Sequence, residues 1–327
     1  MRELTYWQAL QEALCDAMRR DPAVFVMGED IGTYGGAFGV TRGLLEEFGP
    51  ERVRCTPISE GTIVGAATGA ALTGMRPVVE IMFMDFLTLT MDQLANHAAK
   101  FRYMYGPQAR VPMVIRTPAG GGRCYGATHS QSLEAWFLHV PGLKVVAPST
   151  PADAKGLLTA ALHDDNPVLF VEHKLLYANS GDVPAGDHRV PLGCAALRRE
   201  GSDVTLVSYS YYAGVALAAA EELAAAGIDA EVIDLRSLAP LDTATILASV
   251  RKTGRLICIE EGPRTGGVSA EIAAVVAEHA YEYLDAPVRR VGAIDTPIPF
   301  SPALEPAALP QRSDIVRTAR EMFACRR

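Results

Sequence analysis

The sequence predicts an α/β protein of two doubly wound domains, each built on a mostly parallel sheet. Its 327 residues are twice the roughly 150 of one ordinary domain. Short apolar runs alternate with helical periods along nearly the whole chain, the order that builds parallel sheets. Asn179 to Pro191, rich in Gly, Pro, Asp and Ser, breaks that alternation, so residues 1–185 are read as the first domain and 186–327 as the second.

Trp7, Leu10, Ala13, Leu14, Ala17 and Met18 recur at helical spacing within Leu4 to Arg20, and Asp21-Pro22 stops the pattern. Val24 to Met27 follows as a continuous apolar run, the mark of a strand buried on both faces. Further strands are expected at Arg52 to Cys55, Pro77 to Met82, Met113 to Arg116, Leu143 to Ala147 and Val168 to Val171. Between them lie helices over Thr62 to Gly74, Phe86 to Tyr105, and Pro151 to His163, the last with Ser149 or Thr150 as N-cap. In the second domain the strands read Val204 to Ser208, Ala230 to Leu235, Leu256 to Glu260 and Val288 to Val291. The helices there read Tyr212 to Ala226, Asp242 to Lys252 and Val268 to Tyr283.

Composition narrows the function. Apolar residues are 49% and charged residues 21% of the chain, ordinary globular usage. Thirty basic against 38 acidic side chains give a formal charge of −8, the wrong sign for neutralising a phosphate backbone, so no nucleic acid is expected as partner. The longest uncharged apolar run, Ile63 to Met75, is 13 residues and too short to span a bilayer, so no membrane is expected either. The N-terminus opens straight into an amphipathic pattern, and the six cysteines include no CxxC pair. Both point to reduced thiols, packed as small apolar side chains, in a cytoplasmic setting.

The common nucleotide and hydrolase motifs fail. None of the five lysines follows a glycine, so there is no Walker A loop. The glycines at 35, 36 and 39 and at 120, 121, 122 and 126 do not space as GxGxxG, and GxSxG and HExxH are absent. These glycines read either as turns or as close approaches to a ligand. Glu60 is the carboxylate that stands out. It follows a buried strand, precedes a helix of Gly and Ala, and falls where open parallel sheets bind ligands, outside the carboxyl ends of the strands. Its small apolar neighbours suit proton transfer; the competing reading is a helix-entry carboxylate favoured by the macrodipole.

Thr56-Pro57-Ile58-Ser59-Glu60, Gly28-Glu29-Asp30-Ile31-Gly32, Ala98 to Met104, His129-Ser130-Gln131 and Pro141 to Val146 together resemble the β subunit of thiamine-diphosphate-dependent 2-oxo acid dehydrogenases. Asp153 to Leu158, Asp165 to Val168 and Asp234 to Asp242 keep that family's order, so the resemblance covers nearly the whole chain. It implies a transketolase-like pyrimidine-binding domain followed by a transketolase C-terminal-like domain. It also implies an oxidoreductase active only as an α–β assembly, which cleaves a 2-oxo acid or acetoin and passes the acyl group to a lipoyl group. Glu60 matches the glutamate that hydrogen-bonds N1′ of the cofactor aminopyrimidine and moves the proton that activates it. Ile58, Met82 and Phe86 match its apolar ring contacts, Glu29 matches an acid near the cofactor, and His129 matches a histidine at the channel mouth that assists acyl transfer.

The resemblance also implies partners and ions. Family enzymes hold Mg2+ and the diphosphate with Gly-Asp-Gly, which this chain lacks, so an α subunit must supply it in an α2β2 heterotetramer. A structural K+ is implied at Met113, Ala161, Leu162, Asp164 and Asn166. The second domain is expected to pair with a second β subunit and to dock the lipoyl acyltransferase core, with Glu260, Glu261, Glu278, Glu282 and Asp285 as acidic candidates. Segments Ala98 to Met104 and His173 to Tyr177 look acetoin- or pyruvate-type, with branched-chain 2-oxo acids second. A single-chain thiamine enzyme of the transketolase kind and a non-catalytic docking subunit are the competing functional classes.

Overall fold

A computed structural model describes residues 1–324, and Cys325 lies outside them. The chain divides into two compact units, residues 1–119 with 136–192, and residues 120–135 with 193 onward. The Val190 amide donates to Gly156 O at 3.1 Å, which holds the chain up to Leu192 with the first unit. The segment expected to be irregular holds a strand, β8 (Ser180–Val183), which pairs antiparallel with the N-terminal strand β1 (Arg2–Thr5) and so ties residues 180–183 to the first unit.

β1 also explains why the first helix begins at Tyr6 and not at Leu4. Thr5 and Gln8 form a reciprocal capping box, with the Thr5 amide donating to Gln8 Oε1 at 2.9 Å and the Gln8 amide to Thr5 Oγ1 at 3.4 Å. Five strands follow: β2 (Val24–Gly28), β3 (Val53–Cys55), β4 (Arg76–Glu80), β5 (Val114–Ala119) and β6 (Lys144–Val146). With β7 (Val168–His173) they make the first unit's parallel sheet in the order β6-β7-β5-β4-β2-β3. β2, β5 and β7 are buried at every residue, which is why β2 reads as an unbroken apolar run and the other two open on apolar residues. Helix Pro151–Leu162 starts on Thr150, whose hydroxyl accepts from the Asp153 amide, and packs on Tyr6–Arg20.

In the second unit the sheet runs β14 (Arg289–Ala293), β13 (Leu256–Pro263), β10 (Val204–Ser208), β11 (Ala230–Asp234) and β9 (Ala196–Arg199), with only β9 antiparallel. β12 (Ser237–Ala239) is a further short strand. Leu206, Ala216, Leu223, Val232 and Ile257 form its core with Ile315 and Ala319. The last two lie on the helix Arg312–Ala324, whose narrow apolar stripe is surrounded by five charged residues and so gives little signal in the sequence. No helix among the described residues is long and apolar enough to cross a membrane. The described cysteines are free, but only Cys258 is buried; Cys55 and Cys194 are exposed, so packing explains one of them rather than all.

Candidate functional site

Three adjacent strand ends build the site in the first unit. Gly28 at the end of β2 sits level with Cys55 of β3 and Glu80 of β4, and a side chain at Gly28 would stand 2.6 Å from the Glu80 carbonyl. Beyond these ends the chain delivers Glu29, Glu60, and Met82 with Phe86. Glu60 is the first residue of the helix Glu60–Leu72, which begins two residues before the expected Thr62. It is only 6% exposed, which sets its carboxylate in a largely dry setting at the strand ends. Glu29 is also buried, and burial followed by the neighbouring Glu60 charge raises its carboxyl above the ordinary range. The Glu60 charge therefore acts on Glu29 across the strand ends.

Thr56 Oγ1, on the same β3-to-helix connection, is buried without a partner. An orphaned hydroxyl on the connection that leads to a buried carboxylate fits a ligand that brings its own hydrogen-bonding edge. Met82 and Phe86 are half-buried and suit the face of a flat ring, whereas Ile58 is 81% exposed. The continuous helix expected from Phe86 to Tyr105 is instead three segments: 3-10 over Met84–Thr90, π over Asp92–Ala98 and α over Phe101–Tyr105. The burial pattern explains the break. Met84, Leu87 and Thr90 repeat every third residue, as a 3-10 turn requires, and Leu94 and Ala98 every fourth. Gly61 and Gly65 let this segment approach the Glu60 helix, since side chains there would meet Leu89 O at 3.2 Å and Gln93 Cγ at 3.4 Å.

Sequence reasoning missed a buried ion network behind the site. Arg116 on β5 donates from Nη1 to Glu80 Oε2 at 2.8 Å, and from Nε and Nη2 to the two oxygens of Glu172 at 2.7 and 2.8 Å. Tyr177 OH adds a 2.7 Å bond to Glu172. Glu80 also takes the Ala37 amide, and a side chain at Gly36 would collide with its carboxylate, so the network fixes the loop that follows Glu29. Phe38 of that loop stacks on Tyr177 at 4.7 Å and meets Phe83 edge-on at 6.3 Å, and Phe83 meets Phe86 at 6.1 Å. The available signal was three charges in the middle of apolar runs: Glu80, Arg116 and Glu172.

His129 belongs to the other unit, on a loop closed by the Gly120 amide donating to Gln131 O at 3.3 Å. Thr128 Oγ1 lies 3.0 Å from its Nδ1. Beside the loop, a cavity of about 680 Å³ is lined by Thr128, Ser130, Gln131, Glu261, Asp295 and Ile298 among others. Burial pushes the carboxyl of Glu134, on the same stretch, up to about 8, and the Glu261 and Glu260 charges add to this. Two of the acidic docking candidates are corrected here. Glu260 and Glu261 are 2% and 7% exposed and cannot meet a partner's basic side chains. Glu260 instead caps the helix Val268–His279, accepting the Val268 and Ser269 amides at 2.9 and 3.0 Å, and Glu261 accepts the Gly121 amide. Glu278, Glu282 and Asp285 are exposed, and Asp285 pairs with Arg255 at 3.2 Å.

The carbonyls matched to a cation site already carry donors. Arg76 gives Nε to Leu162 O at 3.0 Å and Nη2 to Asp164 O at 2.7 Å. Met113 O accepts the Val168 amide and Ala161 O the Asp164 amide. Each keeps a second lone pair. Burial works against the Asp164 carboxylate, but Lys144 and Asn166 outweigh it and hold its pKa below the ordinary value.

Residues 2–179 match the family described as transketolase, pyrimidine binding domain, and residues 193–315 match transketolase, C-terminal domain. Over 330 residues the chain is 50% identical to the pyruvate dehydrogenase E1 component subunit beta-1, mitochondrial, of Arabidopsis thaliana, covering 100% of this chain and 90% of that protein. It is 48% identical to the pyruvate dehydrogenase E1 component subunit beta of Rickettsia felis, covering 98% of each. It is 46% identical to the acetoin:2,6-dichlorophenolindophenol oxidoreductase subunit beta of Bacillus subtilis, again over 98% of each. The fold matches a solved structure described as a split gene transketolase, inactive beta4 tetramer, at TM-score 0.81 and 24% identity over 99% of each chain.

Proposed function

The chain belongs to the transketolase-like family of pyruvate and acetoin dehydrogenase β subunits, and from that premise we propose that it is the β subunit of a thiamine-diphosphate-dependent 2-oxo acid or acetoin dehydrogenase. One observation carries the reading: a buried carboxylate, Glu60, lies at the mouth of a parallel sheet with a second acid, Glu29, beside it and the unpartnered Thr56 hydroxyl on the connection that leads to it. Thiamine diphosphate, when bound, supplies the carbon nucleophile that cleaves the substrate's bond to its carbonyl. Glu60 holds and moves a proton at the pyrimidine nitrogen, Glu29 steadies that proton through the shared field, and Met82 and Phe86 exclude water from the ring, with the exposed Ile58 joining them once the α subunit covers it. His129 exchanges protons with the incoming lipoyl group, which accepts the acyl group and two electrons. The relatives' names favour pyruvate or acetoin over branched-chain substrates and a catalytic over a docking role.

With no Gly-Asp-Gly in the sequence, the diphosphate and Mg2+ fall to an α subunit in an α2β2 assembly, working in the cytoplasm with a lipoyl acyltransferase. Isothermal titration of the isolated chain with thiamine diphosphate and Mg2+ should therefore show no tight binding, and turnover should appear only when an α chain is added. Binding tighter than about 1 μM, some 8 kcal/mol, by the chain alone would sink this reading.

A monovalent cation, K+, completes the proposal, held by carbonyls of Met113, Ala161 and Leu162 with Asp164 and Asn166 at the negative end of the helix Pro151–Leu162. Exchanging potassium for choline should lower the thermal midpoint. An unchanged midpoint gives that role to Arg76, which already donates to two of these carbonyls.

A further inference from the structure

The loop that carries His129 is held by a carboxylate clasp that the sequence does not announce. Glu305, 3% exposed, opens the short helix Glu305–Ala308. Its Oε1 accepts the Gly122 amide at 2.9 Å and its Oε2 the Cys124 amide at 2.9 Å, and the Cys124 thiol donates to Oε2 at 3.3 Å. The Gly121 amide goes to Glu261. Three amides of one four-residue stretch thus converge on two carboxylates, the arrangement of a backbone nest filled by the protein's own anions.

The backbone pays for this convergence at defined points. Gly120 and Gly122 have φ of +89° and +82°, and Cys124 has φ of +56°, a left-handed conformation that a residue with a side chain rarely adopts. Both the amide and the thiol of Cys124 end on Glu305, so the clasp offsets the strain at that residue. The Glu305 bond raises the pKa of this thiol, which keeps it protonated and therefore a donor. Five residues on, His129 closes the turn by donating its amide to Gly126 O at 3.3 Å. The glycines at 120, 121, 122 and 126 are thereby accounted for as backbone that must reach carboxylates or turn sharply.

We propose that Glu305 is a positioning residue for His129: by gripping the Gly122 and Cys124 amides it presets the loop 120–131 in the conformation from which the imidazole serves acyl transfer to the lipoyl group. The inference rests on the reading of His129 given above. In Glu305→Gln one amide can still be accepted, but the other faces an NH2 group and is lost.

The test uses the assembled α–β complex and two readouts. Acyl transfer to a lipoylated domain should fall about tenfold to a hundredfold, the penalty for a displaced group, while decarboxylation coupled to a dye acceptor stays within about twofold. Amide exchange at residues 121–124 should rise by about tenfold or more with the rest of the chain unchanged. Cys124→Ala, which removes one donor and no acceptor, should move both readouts in the same direction by less, and it keeps the test available should Glu305→Gln fail to fold. Unchanged exchange in both variants, or equal loss of acyl transfer and dye reduction, overturns the clasp as a positioning device. His129→Ala is the reference. If it transfers acyl groups normally, the role of His129 fails and the proposal with it, whereas normal His129 dependence with an indifferent Glu305 removes the clasp alone.

Discussion

Glu60→Gln should reduce 2-oxo acid or acetoin turnover by at least about 10²- to 10⁴-fold, the usual cost of removing a positioned acid or base, while leaving the complex assembled. The amide preserves the size of the side chain and can still accept a hydrogen bond, but it cannot take up and return a proton. The neighbouring Glu29 is a poor substitute. Glu29 lies one residue beyond β2, its carboxyl already biased towards the protonated form by burial and by Glu60 itself. Removing the Glu60 charge relieves that bias, so the pH dependence of any residual activity should move towards lower pH, in keeping with a Glu29 that ionises more easily. Gel filtration and circular dichroism of the reconstituted variant check that assembly survives. Residual turnover above about a tenth of wild type would leave Glu60 as a helix-entry carboxylate favoured by the dipole, because a proton-transfer role predicts a larger loss.

What the sequence disclosed and what it hid follow from the range of the interactions concerned. Strands buried on both faces, such as Val24–Gly28 and Val204–Ser208, were legible because their signal is local and continuous. The placement of Glu60 between a strand end and a helix was legible because a strand end, a turn and a helix of small residues adjoin in sequence. The pairing of β1 with β8 was hidden, since it joins residues separated by nearly the length of a domain and each strand alone is short and polar. The 3-10 and π segments between Met84 and Ala98 were hidden by the assumption of a single period, although the change from threes to fours is present in the residues themselves. Glu260 and Glu261 misled because adjacent acids read as solvated charge until the amides of Val268, Ser269 and Gly121 are brought to them by the fold. The clasp on Glu305 spans more than 180 residues of sequence and leaves no local trace except Gly122, whose amide it accepts together with that of Cys124.

Arg116→Leu should destabilise the protein by about 3–5 kcal/mol, because it leaves Glu80 and Glu172 buried without their cation. Both carboxylates and the guanidinium are at least 90% shielded, at 7%, 0% and 1% exposure, so solvent cannot replace the lost partner. For a unit of this size that corresponds to a fall in the thermal midpoint of about 6–20 °C, taking about 2–4 °C per kcal/mol. The sign of the pH dependence discriminates the mechanism from a simple cavity. Burial, the larger influence, already raises the Glu80 carboxyl above its ordinary value of 4.5, and Arg116 opposes that rise. Without Arg116 the folded-state value climbs further above the unfolded one. Below the unfolded value both states are protonated and the penalty vanishes; as pH rises through it, the unfolded chain ionises freely while the folded chain cannot, and the penalty grows. The stability gap between variant and wild type should therefore narrow on acidification to about pH 4 and widen towards neutrality, whereas a gap independent of pH would mean that lost packing, not stranded charge, is responsible. Replacing the whole set, Arg116→Met with Glu80→Leu and Glu172→Leu, should recover much of the stability, since a fully apolar substitute leaves no charge unpaired. The same triple variant would still lose activity, because Glu80 accepts the Ala37 amide and so holds the loop that follows Glu29.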